Sequence, residues 1–205
     1  MIFHRLAIRF VLYTVMIAVV TSSLPIWAHE WGTRSFFVER GPVEYLQLCL
    51  LAITTLVFIA SARKAPQWRE LGLVLASVTA LAATRELDFI SNHLIPVLGW
   101  KVGFLFVLSA GWIAFSRRVV FRRQVHAFTS TRSFVILWAG FIVTLPLAQM
   151  LGHGTLFEAM MGEDYQRHYK RVIEESCELI GYVILMSGSI EWRCETRVGP
   201  PADLE

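Results

Sequence analysis

The sequence has few charged residues and so lacks the polar surface that a water-soluble domain needs. Only 17% of its 205 residues are Asp, Glu, Lys or Arg, whereas 55% are hydrophobic. The mean hydropathy is +0.53, and a compact globule of this composition would be poorly soluble in water. Lipid is therefore the expected solvent, and the chain is short enough to form a single membrane domain.

Motifs that identify several other classes of protein are also absent. The cysteines Cys49, Cys177 and Cys194 have neither CxxC spacing nor the density of a disulfide scaffold, so we expect packed thiols rather than a Cys49–Cys177 bridge. No HExxH zinc motif occurs. The arginines lie in short blocks between apolar runs rather than along one soluble face, which argues against nucleic-acid binding.

Long apolar runs bracketed by charges make up most of the chain. A bilayer core of about 30 Å takes roughly 20 residues of helix. The runs predict about six transmembrane helices, over residues 10–27, 43–62, 71–90, 96–115, 134–151 and 172–190. We therefore expect an all-α, polytopic transmembrane helical bundle over residues 1–196, followed by a disordered tail at 197–205. The length of the first run favours a retained signal-anchor helix over a cleaved signal peptide.

The basic residues predict the orientation of these helices. Twelve of the 19 Lys and Arg residues fall on one side of the runs, which the positive-inside rule assigns to the cytoplasm. They are Arg5, Arg9, Arg63, Lys64, Arg69, Arg117, Arg118, Arg122, Arg123, Arg132, Arg193 and Arg197. Both termini are then cytoplasmic, in a multi-pass protein of the bacterial inner membrane. Tryptophans agree with this frame, since Trp27, Trp31 and Trp100 fall at the outer interface and Trp68, Trp112, Trp138 and Trp192 towards the inner one.

Ionisable residues near the outer ends of several runs are the most informative feature. They are Glu44, Arg85, Glu86, Asp88, Lys101, Glu174, Glu175 and Glu178. Ionised groups at such depth are costly unless they pair or face water, so we expect them to surround an acidic polar cavity that opens outwards. In the cytoplasmic half we expect no buried charge, which argues against a continuous ion pathway.

Three classes of function are compatible with such a cavity. A transporter-like or accessory protein would bind a cation, a proton or a polar headgroup there, and His153, Glu174 and Glu178 are the candidate ligands of a divalent metal cofactor. A membrane-embedded enzyme acting on lipid or a lipid-linked substrate would use Glu174 or Glu178 as general base and Lys101 or Arg85 to stabilise an oxyanion, although no nucleophile is evident. A structural subunit would use the charges only as a salt-bridge network. The expected partners are membrane lipid and either a second copy of the chain or another membrane protein.

The segment Arg85-Glu-Leu-Asp-Phe, Lys101, and Glu174-Glu175-x-x-Glu178 in the last run together carry a resemblance to other proteins. This arrangement resembles that of a family of bacterial multi-helix inner-membrane proteins. The resemblance covers about three of the runs and implies that the charged residues act as one unit, without implying an activity. The chain does not match the alkaline-ceramidase-like membrane hydrolases, because the paired histidines of their zinc site are missing.

Overall fold

The computed structural model of the chain describes residues 2–38, 41–87 and 99–196, and these ranges contain helices and short connections without a strand. The helices are α1 Ile2–Trp31, α2 Thr33–Phe36, α3 Pro42–Lys64, α4 Arg69–Glu86, α5 Phe104–Ser116, α6 Arg118–Thr129, α7 Arg132–Ile142, α8 Ala148–Leu151, α9 Gly154–Met161 and α10 Arg167–Thr196. A 3-10 turn at Gly99–Gly103 leads into α5, and a π-helical turn at Val143–Leu147 joins α7 to α8. The predicted all-helical class is confirmed. The predicted disordered tail lies outside the described residues.

Three helical stretches are long and apolar enough to cross a membrane. They are Leu6–Trp31, Pro42–Lys64 and Arg132–Leu151, with 26, 23 and 20 residues. These stretches contain the first, second and fifth predicted runs. Many of their outward side chains are apolar, such as Val19, of which 61% is exposed. Such a surface is expected of helices surrounded by lipid.

The other predicted runs have a different form. α4 contains most of the third run and carries charged residues at both ends, and α10 contains the sixth run with its glutamates. The fourth run includes α5, from which α6 bends away by 101°. α6 lies between the fourth and fifth predicted runs, where its arginines interrupt the apolar pattern. Residues 88–98, where the third run ends and the fourth begins, lie outside the described ranges.

α10 is the central helix and packs against α1, α3 and α7. Small residues allow the close approach. A side chain on Gly181 would overlap Thr144, and one on Gly188 would lie 2.7 Å from Leu137. Small residues are typical of helix contacts in lipid, where van der Waals packing replaces the hydrophobic driving force. The resulting contacts hold α10 against the helices that carry the functional residues described below.

Two tryptophans differ from the expected interfacial positions. Trp68 and Trp192 are 2% and 0% exposed and belong to a hydrophobic core between the helices. The ring of Trp192 meets Phe58 edge-on, with 5.3 Å between centroids. The sequence correctly places both residues near one end of the bundle, but it does not show that they point into the protein.

Candidate functional site

A charged cluster connects the end of α4 to the middle of α10. Arg85 Nη2 donates a 2.7 Å hydrogen bond to Glu178 Oε1, and Arg85 Nε lies 3.8 Å from Glu86 Oε1. The Tyr182 hydroxyl donates a 3.0 Å hydrogen bond to the same Glu86 oxygen. We call these four residues the Arg85 cluster. Tyr182 is absent from the predicted site, although it follows Glu178 by four residues and must share its helix face.

Members of the Arg85 cluster differ in their exposure. The side chains of Glu178 and Glu86 are 3% and 8% exposed, whereas 46% of the Arg85 side chain is exposed. Because buried carboxylates need compensating partners, their pairing with Arg85 fixes the position of the guanidinium. The cluster therefore consists of two buried anions that orient one accessible cation.

A third helix, α3, reaches the same layer through Gln47. Its buried side-chain amide donates to the Glu175 carboxylate at 3.0 Å and to the Glu175 carbonyl at 3.2 Å. Glu44, one turn earlier on α3, is close enough to interact electrostatically with Glu86 and Glu175. The structure thus brings together Glu44, Arg85, Glu86, Glu175 and Glu178 from three helices.

The three residues considered as metal ligands each contact other side chains. Glu174 pairs with Lys170 at 3.8 Å, and His153 Nδ1 shares a 2.7 Å hydrogen bond with the Thr155 hydroxyl. Glu178 belongs to the Arg85 cluster. Across residues 2–38, 41–87 and 99–196, no group of three His, Cys, Asp or Glu side chains is placed to hold a metal ion. The described residues therefore give no support for a divalent metal cofactor.

Lys101 and Asp88 are the remaining predicted site residues. Lys101 lies in the turn before α5, and its side chain is exposed. The same turn packs on the end of α4, since a side chain on Gly103 would overlap Thr84. Lys101 therefore lies in the turn beside α4, at the same end of the bundle as Arg85. Asp88 lies outside the described residues.

An apolar cavity of about 500 Å³ adjoins the Arg85 cluster. Arg85 and Tyr182 line it at the cluster, and Phe128 and Phe134 line it further along the bundle. None of the glutamates in the described ranges lines it. The wall of this cavity is hydrocarbon with Arg85 at one end, whereas the carboxylates of Glu86 and Glu178 point into the helix contacts.

A second buried ion pair lies at the opposite end of the bundle, between α1 and α10. Glu191 is fully buried and accepts hydrogen bonds from Arg9 Nε at 2.9 Å, from Arg9 Nη2 at 3.0 Å and from the Tyr13 hydroxyl at 3.2 Å. The prediction of no buried charge in this half is therefore wrong. It fails because Arg9 and Glu191 border apolar runs and look like residues of exposed helix ends.

Among the described residues, Ser176 is the serine nearest in sequence to Glu178, and its hydroxyl is already engaged. Ser176 Oγ donates to the Val172 carbonyl at 2.6 Å, which is a common bond of serines in transmembrane helices. The hydrogen bonds described for Glu178 and Glu86 come from Arg85 and Tyr182. All three cysteines are free thiols, and no described hydrogen bond joins a cysteine to a carboxylate.

Comparison with known proteins assigns no family. No protein-family model, no curated protein and no solved structure matches the chain. Function is therefore argued from the geometry of the site.

Proposed function

We propose that the protein is a multi-pass protein of the bacterial inner membrane that binds a polar headgroup at the Arg85 cluster. The role is transporter-like or accessory, and membrane lipid is the expected partner. The observation that carries the proposal is the exposed guanidinium of Arg85, which two buried carboxylates hold at one end of an apolar cavity.

The Arg9–Glu191 ion pair supports a topology with both termini on one side of the membrane, as six crossings would give. Arg9 lies near the start of α1 and its partner Glu191 near the end of α10, so the two helix ends lie on one side. The arginines of α6 belong to that side by the positive-inside rule. Glu178 and Glu191 are 13 residues apart on α10, which corresponds to about 20 Å. The Arg85 cluster is then in the outer half of the membrane.

A headgroup fits this geometry better than a cation or a proton. A cation site needs carboxylate oxygens on the wall of the cavity, whereas the described glutamates are turned away from it. The charged residue that does line the cavity is Arg85, and its guanidinium suits an anionic or zwitterionic headgroup. An enzyme would in addition need a nucleophile or an activated water, and Ser176 is engaged elsewhere. Binding is therefore the function proposed.

Thermal stability tests the site directly. Phosphatidylethanolamine is added to the delipidated protein in detergent, with wild type beside Arg85→Gln. A ligand that binds only the folded state raises the melting temperature in proportion to its occupancy. Because a hydrogen bond to a charged group contributes about 1.5–3 kcal/mol, Arg85→Gln should weaken binding by about tenfold or more.

Arg34→Gln is the matched control, since Arg34 is an exposed arginine on the same predicted side and outside the cluster. Its response to lipid should equal that of wild type. Equal stabilisation of wild type and folded Arg85→Gln would reject the headgroup site. If the lipid stabilises neither protein while Arg85→Gln lowers the melting temperature, the charges act only as a structural network.

A further inference from the structure

We infer that the bound molecule is a membrane phospholipid, with its phosphodiester at Arg85 and one acyl chain in the apolar cavity. This inference rests on the proposed headgroup site and names the ligand class that the site takes. Four observations carry it: the length of the cavity, its lateral opening, the composition of its wall and the charge at its end.

Along α4 the cavity is about as long as one half of a hydrocarbon core. Arg85 and Leu75 both line it and are ten residues apart on α4, which corresponds to about 15 Å along the helix. One half of a hydrocarbon core of about 30 Å has the same depth. An acyl chain whose headgroup lies at Arg85 can therefore extend to Leu75, and Phe128 and Phe134 line the cavity further along the bundle. The cavity volume of about 500 Å³ also lies in the range of roughly 300–1,000 Å³ found for ligand sites.

The cavity opens sideways, between α4 and α5 on one edge and α7 on the other. Lining residues at the opening are apolar and about half exposed, with 52% of Val78, 51% of Phe104 and 54% of Trp138 accessible. The back wall is buried, with Thr79 and Leu137 only 7% and 8% exposed. An acyl chain can thus enter from the surrounding leaflet without leaving an apolar environment.

The charge at the end of the cavity selects the headgroup. A guanidinium matches a phosphate group through paired N–H donors, and Lys101 on the neighbouring turn supplies a second exposed cation. Glu86 and Glu178 act as positioning residues, since they hold Arg85 without lining the cavity. Their negative charges disfavour a dianionic phosphate. A phosphodiester with one negative charge is therefore expected, rather than a phosphomonoester or free phosphate.

Photo-crosslinking tests where the chain lies. The probe is phosphatidylethanolamine with a diazirine in the middle of one acyl chain, added to the full-length protein in detergent, and peptide mass spectrometry maps the adducts. Adducts are expected on the wall residues Thr79, Leu137 and Leu185, of which the first two are buried and the third is partly buried. Arg85→Gln should decrease their yield, and inorganic phosphate should not displace the probe.

Val78→Trp fills the opening and should abolish the buried adducts. Val107→Trp is the matched control, because Val107 is 45% exposed and does not line the cavity; its adducts should resemble those of wild type. Where Val78→Trp is not monodisperse, Leu145→Trp fills the cavity from the opposite wall, where Leu145 is 38% exposed.

Each outcome decides a separate part of the inference. Adducts confined to exposed residues such as Val107, together with Arg85-dependent stabilisation by lipid, would overturn the chain placement and leave the headgroup site standing. Buried adducts with the same yield in Arg85→Gln would overturn the anchoring at Arg85 and, with it, the proposed function. Displacement of the probe by inorganic phosphate would overturn the choice of a phosphodiester lipid.

Discussion

Removal of Arg9 is expected to destabilise the protein, because it leaves a buried carboxylate without its cation. Arg9→Met leaves the fully buried Glu191 carboxylate with the Tyr13 hydroxyl as its described partner. Breaking a buried ion pair by removing one partner typically costs about 3–5 kcal/mol, because the other charge stays buried without compensation. The Arg9 side chain is 30% exposed, so water reaches part of the site, and we expect a loss of about 3 kcal/mol in the free energy of unfolding.

The double variant Arg9→Met with Glu191→Leu tests whether the loss of stability comes from the unpaired Glu191 charge. It removes both charges and keeps side chains of similar length, and such replacements are often neutral or stabilising. The double variant should therefore be more stable than Arg9→Met alone. A coupling of about 2 kcal/mol or more between the two substitutions is expected, as for residues in direct contact.

Unfolding in mixed micelles by titration with sodium dodecyl sulfate measures these free energies. Trp192 is fully buried beside Glu191 in the chain and packs against Phe58, and it is one of the seven tryptophans whose summed fluorescence follows the unfolding. Tyr13→Phe removes one hydrogen bond to Glu191 and should lower stability by about 1.5 kcal/mol. A double variant as unstable as Arg9→Met, or a loss below about 0.5 kcal/mol for Arg9→Met, would refute the buried pair.

Three further predictions use the same unfolding titration. Glu178→Gln should lower the free energy of unfolding by about 1–2 kcal/mol, which is less than for Arg9→Met, because the freed guanidinium is half exposed and water solvates it. A larger loss would show that water does not reach the guanidinium. Gly181→Ala should lower the free energy of unfolding by about 1–3 kcal/mol, because its methyl group would overlap Thr144. Gly111→Ala is the control and should be neutral or stabilising, since its methyl group would meet nothing within 4 Å. Equal effects of the two substitutions would contradict the close contact at Gly181. Glu195→Gln should cost about 1 kcal/mol, because its carboxylate accepts the first backbone amides of α7 at 3.1 and 3.2 Å, and no loss of stability would contradict that cap.

The sequence predicts the lipid-facing helices well because lipid selects their composition. The runs 43–62 and 134–151 differ by a few residues from Pro42–Lys64 and Arg132–Leu151, since apolar residues continue until the chain reaches charge. The ends of α1 and α10 are harder, because both helices continue past the apolar run into charged residues. Arg9 and Glu191 form an ion pair inside the bundle, and the sequence around each residue does not distinguish it from an exposed residue.

The sequence likewise predicts some features of the candidate site and not others. An isolated acid or base in an apolar run must pair with another group or face water, so Arg85 and Glu178 can be assigned to one layer of the helical bundle from the sequence. The direction in which each side chain points depends on how α4 and α10 pack, and the sequence therefore does not show that the described glutamates lie outside the apolar cavity beside Arg85. The cavity itself arises from the spacing between α5 and α7, which depends on tertiary packing.

Native mass spectrometry of the delipidated protein, titrated with phosphatidylethanolamine, tests most directly whether Arg85 holds a lipid headgroup. We expect one phospholipid to stay bound to wild type and to Arg34→Gln at activation energies that release it from Arg85→Gln. Equal retention by all three proteins, each folded by the unfolding titration, would contradict the headgroup site and leave the Arg85 cluster as a structural salt bridge.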